Sequence, residues 1–143
     1  MERPETLPDR TELLAEPEAH KRRAIAARKE RRLWDALYED ALYFHEMRLV
    51  EVRLYKHSVQ ELDYSCSLGV CDQEYYDKQL AWEKEFLESW SNERRCMGTM
   101  GYTMKRLKIP EEEQQRIVAE VVKWSHSLGS DDALKDILYR TRK

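Results

Sequence analysis

Glycine and proline are scarce, four of each in 143 residues. That is about half of ordinary usage and excludes collagen-like and linker-type chains. Strand formers are few as well, with 11 valines and isoleucines in all. No unbroken apolar run exceeds the four residues of Ala41-Leu42-Tyr43-Phe44, far short of the roughly 20 residues a bilayer requires, so no transmembrane helix is expected. The chain opens Met1-Glu2-Arg3-Pro4-Glu5 without an apolar stretch, so neither a secretory signal nor an acid-poor, cleavable mitochondrial presequence is expected. Motifs of chemistry are missing too. There is no phosphate-binding glycine loop, no dinucleotide fingerprint and no nucleophile elbow. A di-iron bundle needs Glu-x-x-His pairs, but the residues three before His20, His45, His57 and His126 are Pro17, Leu42, Leu54 and Lys123. His57, Cys66 and Cys71 could approach one another, yet a fourth zinc ligand is wanting. Cys96 follows Arg94-Arg95, but neighbours on a helix point in different directions. No catalytic, cofactor or metal site is therefore expected, and the chain reads as a non-enzyme.

What is present is charge, 37% of residues, strongly segregated beneath a net charge of −3. Residues 1–19 carry −4 and residues 20–32 carry +6. Residues 33–64 return to −4, and residues 72–97 hold −3. Such asymmetry speaks about partners. The basic arm is Lys21, Arg22, Arg23, Arg28, Lys29, Arg31 and Arg32. It could contact phosphates of RNA or DNA, dock on anionic lipid headgroups, or pair with the acidic segments beside it. No aromatic is interleaved before Trp34, and the whole-chain pI is about 5.9; both argue against a dedicated nucleic-acid binder.

The pattern predicts an all-α chain, with an extended N-terminal segment over 1–17 and a single helical domain over 18–143. From Pro17 to Gly69 neither Pro nor Gly occurs, so one helix over 18–64 is expected, about 70 Å long if unbroken. The alternative is a break near Lys56–Val59. Gly69 suits a helix end and Asp72 a helix cap. A second helix over 73–97 then folds back on the first to make an elongated hairpin. Its expected buried stripe is Tyr75, Trp82, Phe86, Trp90 and Met97, with Tyr76, Leu80 and Leu87 beside it. Residues 98–109 read as a basic loop containing Lys105, Arg106 and Lys108. Two short C-terminal helices follow. One begins at Pro110 and Glu111–Glu113 and buries Ile117, Val121, Trp124 and Leu128 up to Gly129. The other is capped by Ser130 and buries Leu134, Ile137 and Leu138.

Over residues 33–55 the apolar surface is wider than one partner helix can cover, so either the short C-terminal helices cover the remainder or a second protein does, the second being the first expectation. The expected partner-binding residues are therefore Trp34, Leu37, Tyr38, Tyr43, Phe44, Met47 and Tyr55, of residue types that dominate interfaces. Cys71 and Cys96, 25 residues apart on one continuous helix, would be about 37 Å apart and could not bond. Free thiols are the first expectation, with a Cys66–Cys71 disulfide as the alternative.

A helix, a short connection bearing Cys66 and Cys71, and a helix bearing Trp82 and Trp90 resemble some accessory subunits of respiratory complex I. The likeness is one of element order and not of spacing. It implies a non-catalytic structural subunit of a large multi-subunit assembly, intracellular and mitochondrial without a cleavable presequence, whose partners are other protein subunits. The rival expectation is a ribosomal or other nucleic-acid-associated accessory protein that uses the arm 20–32.

Overall fold

Long stretches of good helix formers with few breakers favour helix throughout. The computed structural model, which describes residues 2–140, is all-α, with no strand among the described residues. Residues 2–9 have no regular structure, and α1 (Arg10–Leu13) starts where the Asp9 carboxylate accepts the Glu12 N–H at 2.9 Å. α2 (Ala15–Lys29) holds Pro17 in its first turn, where a missing N–H removes no helical bond. The extended segment expected over 1–17 thus ends at residue 9. Residue 1 and residues 141–143 lie outside the described residues.

α2 does not run on into the next helix. Arg31 adopts a left-handed φ of 61°. Its N–H donates to the Arg28 carbonyl at 3.1 Å, and that of Arg32 to the Ala27 carbonyl at 2.8 Å. This is the paired C-terminal closure of the Schellman type. α3 (Leu33–Ser67) then continues unbroken for 35 residues, about 52 Å. The single helix expected over 18–64 is thus broken at 30–32, and the alternative break near Lys56–Val59 does not occur. The same closure recurs after α3 at Gly69 (φ 76°), with the Val70 N–H on the Ser65 carbonyl at 3.1 Å.

α4 (Gln73–Trp90) begins on Asp72, whose side chain accepts the Tyr75 N–H at 2.9 Å. It stops at Ser91, because Asn92 starts a new helix by accepting the Arg95 N–H at 2.9 Å. The helix expected over 73–97 is therefore divided. The residues expected to be a basic loop form most of α5 (Glu93–Arg106). Gly98 and Gly101 break nothing there; Gly101 is buried and lets Met97 pack close. α6 (Glu111–His126) and α7 (Asp131–Tyr139) follow where expected, α7 on a Ser130 cap that accepts the Ala133 N–H at 3.2 Å. Leu128, however, expected in the buried stripe of α6, lies past His126 and is exposed. α6 ends on Leu128 (φ 53°), so Gly129 is not needed for its own conformation. A Cβ on Gly129 would stand 2.2 Å from Cδ1 of Trp124, so glycine is there for the close approach of that ring.

The core lies where the N-terminal part of α3 meets α5, α6 and α7. Leu37, Ala41 and Phe44 pack with Cys96, Met100, Met104, Ile117, Val121, Trp124, Leu134 and Leu138. α2 closes the remaining side of α3 through Ala24 and Ala27, both buried; small residues there let the two helices come close. Polar groups fix the arrangement. The Asp40 carboxylate, 7% exposed, accepts Arg28 Nη1 from α2 at 2.8 Å and the Thr103 hydroxyl from α5 at 2.8 Å. Burial raises the Asp40 pKa from its ordinary value, outweighing the lowering by Arg28 and Thr103. His45 Nδ1 lies 2.8 Å from Oγ of the fully buried Ser125, and its ring lies 4.7 Å from that of Trp124. Burial, then the charge of Arg48, lowers the His45 pKa against a weaker opposing pull from Asp131. The neutral imidazole and the Ser125 hydroxyl therefore share one hydrogen bond, its direction set by the tautomer.

Gly129→Ala should cost about 1–3 kcal/mol through collision with Trp124. Leu128→Gly, which relieves a left-handed residue that is 68% exposed, should leave the melting temperature unchanged or raise it by up to about 4 °C. Thermal unfolding of the two variants checks both signs. Because the native pKa of His45 lies below the ordinary 6.5, its contribution is present above pH 6.5 and lost as pH falls through the lowered value. His45→Asn should remove that part of the acid sensitivity, read as unfolding midpoints in urea on either side of pH 6.5.

Candidate interaction surface

Beyond Phe44 the long helix leaves the core. From residue 45 to residue 90 no residue is buried, and the next buried one is Ser91 at the end of α4. The C-terminal part of α3 and all of α4 thus form a two-helix arm. Its inner seam is Tyr76, Leu80, Glu83, Leu87 and Trp90 on α4, a spacing of four, three, four and three, all only half-buried. The Tyr76 hydroxyl bonds Asp63 of α3, which raises the tyrosine pKa. At the base Arg48 donates to the Ser91 hydroxyl, and His126 Nε2 lies 3.0 Å from the Ser91 carbonyl oxygen. Alongside runs the N-terminal segment, held where His57 Nε2 donates to the Glu5 carbonyl at 3.0 Å.

At the tip Cys66 and Cys71 form a disulfide with Cα atoms 4.9 Å apart, replacing the free thiols first expected at those positions. The closure at Gly69 turns the chain tightly enough to bring the two together. Cys96 remains a thiol, buried beside Met100. Desolvation pushes it up to about 12, which makes it a poor nucleophile at neutral pH.

Of the stripe expected inside the hairpin, Tyr75, Trp82 and Phe86 face out, whereas Trp90 joins the inner seam and Met97 packs against the core. Tyr75, Trp82 and Phe86 are 51%, 59% and 51% exposed, and they fall within about 40° of one another on the helical wheel. The rings of Trp82 and Phe86 stack with centroids 6.1 Å apart. Leu68 and Val70 continue the apolar edge over the tip, also exposed. Beside this edge a groove of about 580 Å³ runs between the helices, with Leu62 and Tyr75 among its walls.

The expected partner-binding residues separate. Leu37 and Phe44 are fully buried in the chain's own core, so they offer nothing to a partner. Trp34 and Tyr38 pack against that core as well, Trp34 edge-on to Tyr139 at 6.0 Å and Tyr38 beneath the Lys135 ammonium at 5.6 Å. α2, α5, α6 and α7 cover the wide apolar face of α3 from within. Met47 and Tyr55 lie half-buried on the arm. Tyr43 lines a concavity at the α4–α5 junction with Trp90, Arg94 and Arg95, where Arg95 stacks over Trp90 at 4.9 Å.

The basic arm divides too. Arg23 pairs with Glu39 at 3.3 Å, Arg28 with Asp40 at 2.8 Å, and Arg32 with Glu30 and Asp35 at 2.7 and 2.9 Å. Lys21, Arg22, Lys29 and Arg31 are exposed and make no ion pair among the described residues. Among those residues no group of His, Cys, Asp or Glu is arranged to hold a metal ion, and no helix is long and apolar enough to cross a membrane. No protein-family model, curated protein or solved structure matches the chain.

The outward stripe was the element missed from sequence. The seam at 76, 80, 83 and 87 competes with it at the same helical spacing, and spacing alone does not choose between the two rows. The tip disulfide closes a loop so short that it contributes about 2 kcal/mol, and that locally. Cys66→Ser with Cys71→Ser should speed amide exchange in residues 64–76 and leave the core amides protected, as hydrogen-exchange mass spectrometry can resolve. A thiol titration should find no reactive group in the native protein, one after denaturation, and three after denaturation with reductant.

Proposed function

We propose that this protein is a non-catalytic accessory subunit of a larger protein assembly, docking through the outer edge of its helical arm. One observation carries the reading: the arm has no buried residue over 46 positions, yet presents Tyr75, Trp82, Phe86, Leu68 and Val70 to solvent. A two-layer hairpin covers only its seam, and a contiguous exposed apolar edge of this kind marks an interaction site. Its aromatic content suits the anchoring role that Trp and Tyr fill in interfaces. The core, in contrast, is complete within the chain and serves to hold the base of the arm. A respiratory-chain assembly in the mitochondrion remains the first candidate for its home, on the order of elements alone.

The second reading, a nucleic-acid-associated accessory protein, is favoured by the four cations on α2 and its C-terminal turn that make no ion pair among the described residues. The two separate in one experiment on the tagged full-length chain, purified from its source under non-denaturing conditions. On the first reading the wild type migrates with several other chains, whereas Trp82→Glu with Phe86→Glu runs alone while keeping its helical circular dichroism. Retention of that variant in the assembly sinks the docking reading. Loss of the assembly on neutralising Lys21, Arg22, Lys29 and Arg31, with a steep dependence on salt, moves the conclusion to nucleic acid.

A further inference from the structure

The arm carries ten carboxylates against five Lys and Arg over residues 45–90, a net charge of −5. The acids gather where the apolar surface is open. Glu61, Asp72 and Glu83 line the groove between α3 and α4 together with His57, which lies 3.5 Å from Glu61, and among the described residues no Lys or Arg lines it. Glu83, Glu85 and Glu88 have no ion-pair partner among the described residues, whereas Lys78 is engaged by Glu74 at 3.1 Å. Tyr75 belongs both to the groove and to the exposed row of Trp82 and Phe86. From Asp72 to Glu83 the groove is about 16 Å long, three turns of helix. Two helices bury one seam, and a third laid into their groove would bury the aromatic row as the third member of a bundle.

We infer that this groove receives an amphipathic cationic helix of a partner protein, with an apolar row against Tyr75, Trp82 and Phe86 and flanking Lys or Arg toward Glu61, Glu83 and Glu85. The inference rests on the arm being the docking surface and adds the chemistry of what docks. Apolar contact supplies the affinity, and the carboxylates select the sign of the partner and speed its encounter. An anionic helix of the same apolar pattern is rejected by like charge.

The test uses two synthetic helices of about 14 residues with one identical leucine row, flanked by lysines in one and by glutamates in the other. Binding to the full-length, disulfide-intact protein is measured by calorimetry. The lysine peptide should bind at least tenfold tighter at about 50 mM salt, with the preference shrinking at about 500 mM as screening shortens. Trp82→Ala with Phe86→Ala should weaken it about tenfold. Glu61→Gln with Glu83→Gln and Glu85→Gln should reduce the preference for the cationic peptide while leaving helicity unchanged. Equal binding of both peptides, or no binding of the lysine peptide, overturns the inference. So does self-association of the chain alone in light scattering that Trp82→Ala with Phe86→Ala abolishes, which would give the edge to a second copy. If the assembly loses the Trp82→Glu, Phe86→Glu variant while the lysine peptide fails to bind, the docking reading stands and only the cationic chemistry falls.

Discussion

The junction of Arg28, Asp40 and Thr103 is where three helices are registered against one another. Alanine faces let α2 slide along α3, and the methionines of α5 pack in many ways at similar cost. A carboxylate that accepts a guanidinium from one helix and a hydroxyl from another has far fewer solutions. Its burial makes the site expensive to leave half-satisfied. The raised Asp40 pKa records that expense: desolvation exceeds what its two partners return. What the junction supplies is position. With α2 and α5 fixed on α3, the rest of the core can close.

That closure decides which surfaces remain for other molecules. On sequence grounds the wide apolar face of α3 needed an outside cover, and Leu37 and Phe44 were expected to meet it. They lie at the centre of the molecule because the chain supplies two covers that were hidden. One is α2, freed to fold back by the turn at Arg31. The other is α5, in a stretch where two glycines and three cations suggested a loop. The exposed apolar surface is displaced outward, from the beginning of α3 to the edge of α4.

The all-α class, the hairpin, the tip at Gly69, the Asp72 cap and the last two helices were legible because each rests on local signals: periodicity, a capping side chain, or an acidic first turn. The misplaced helix boundaries share a cause. Arg31, Lys108 and Leu128 all sit at left-handed helix ends that are usually glycine, so the strongest textual mark of a stop is absent or one residue away. Gly98 and Gly101 lie inside a helix, where the mark is present without its usual meaning. The faces of α4 were exchanged for a different reason. Residue size ranks the outer row above the seam, and only the partner helix decides which row turns inward. The tip disulfide depended on how sharply the chain reverses, which spacing alone leaves open.

A pair of helices that leaves the core after Phe44 and returns at Ser91, tied at its base by Arg48, behaves as an insertion between two ends that stay together. Its length is then free to vary without disturbing the packing beneath. Removing about one heptad from each helix would keep the seam in phase and shift the tip inward by about 10 Å. Removing a single residue from one helix would rotate the outer edge by about 100°. The arm therefore acts as a measured spacer, with helical phase setting its direction and the number of turns setting its reach.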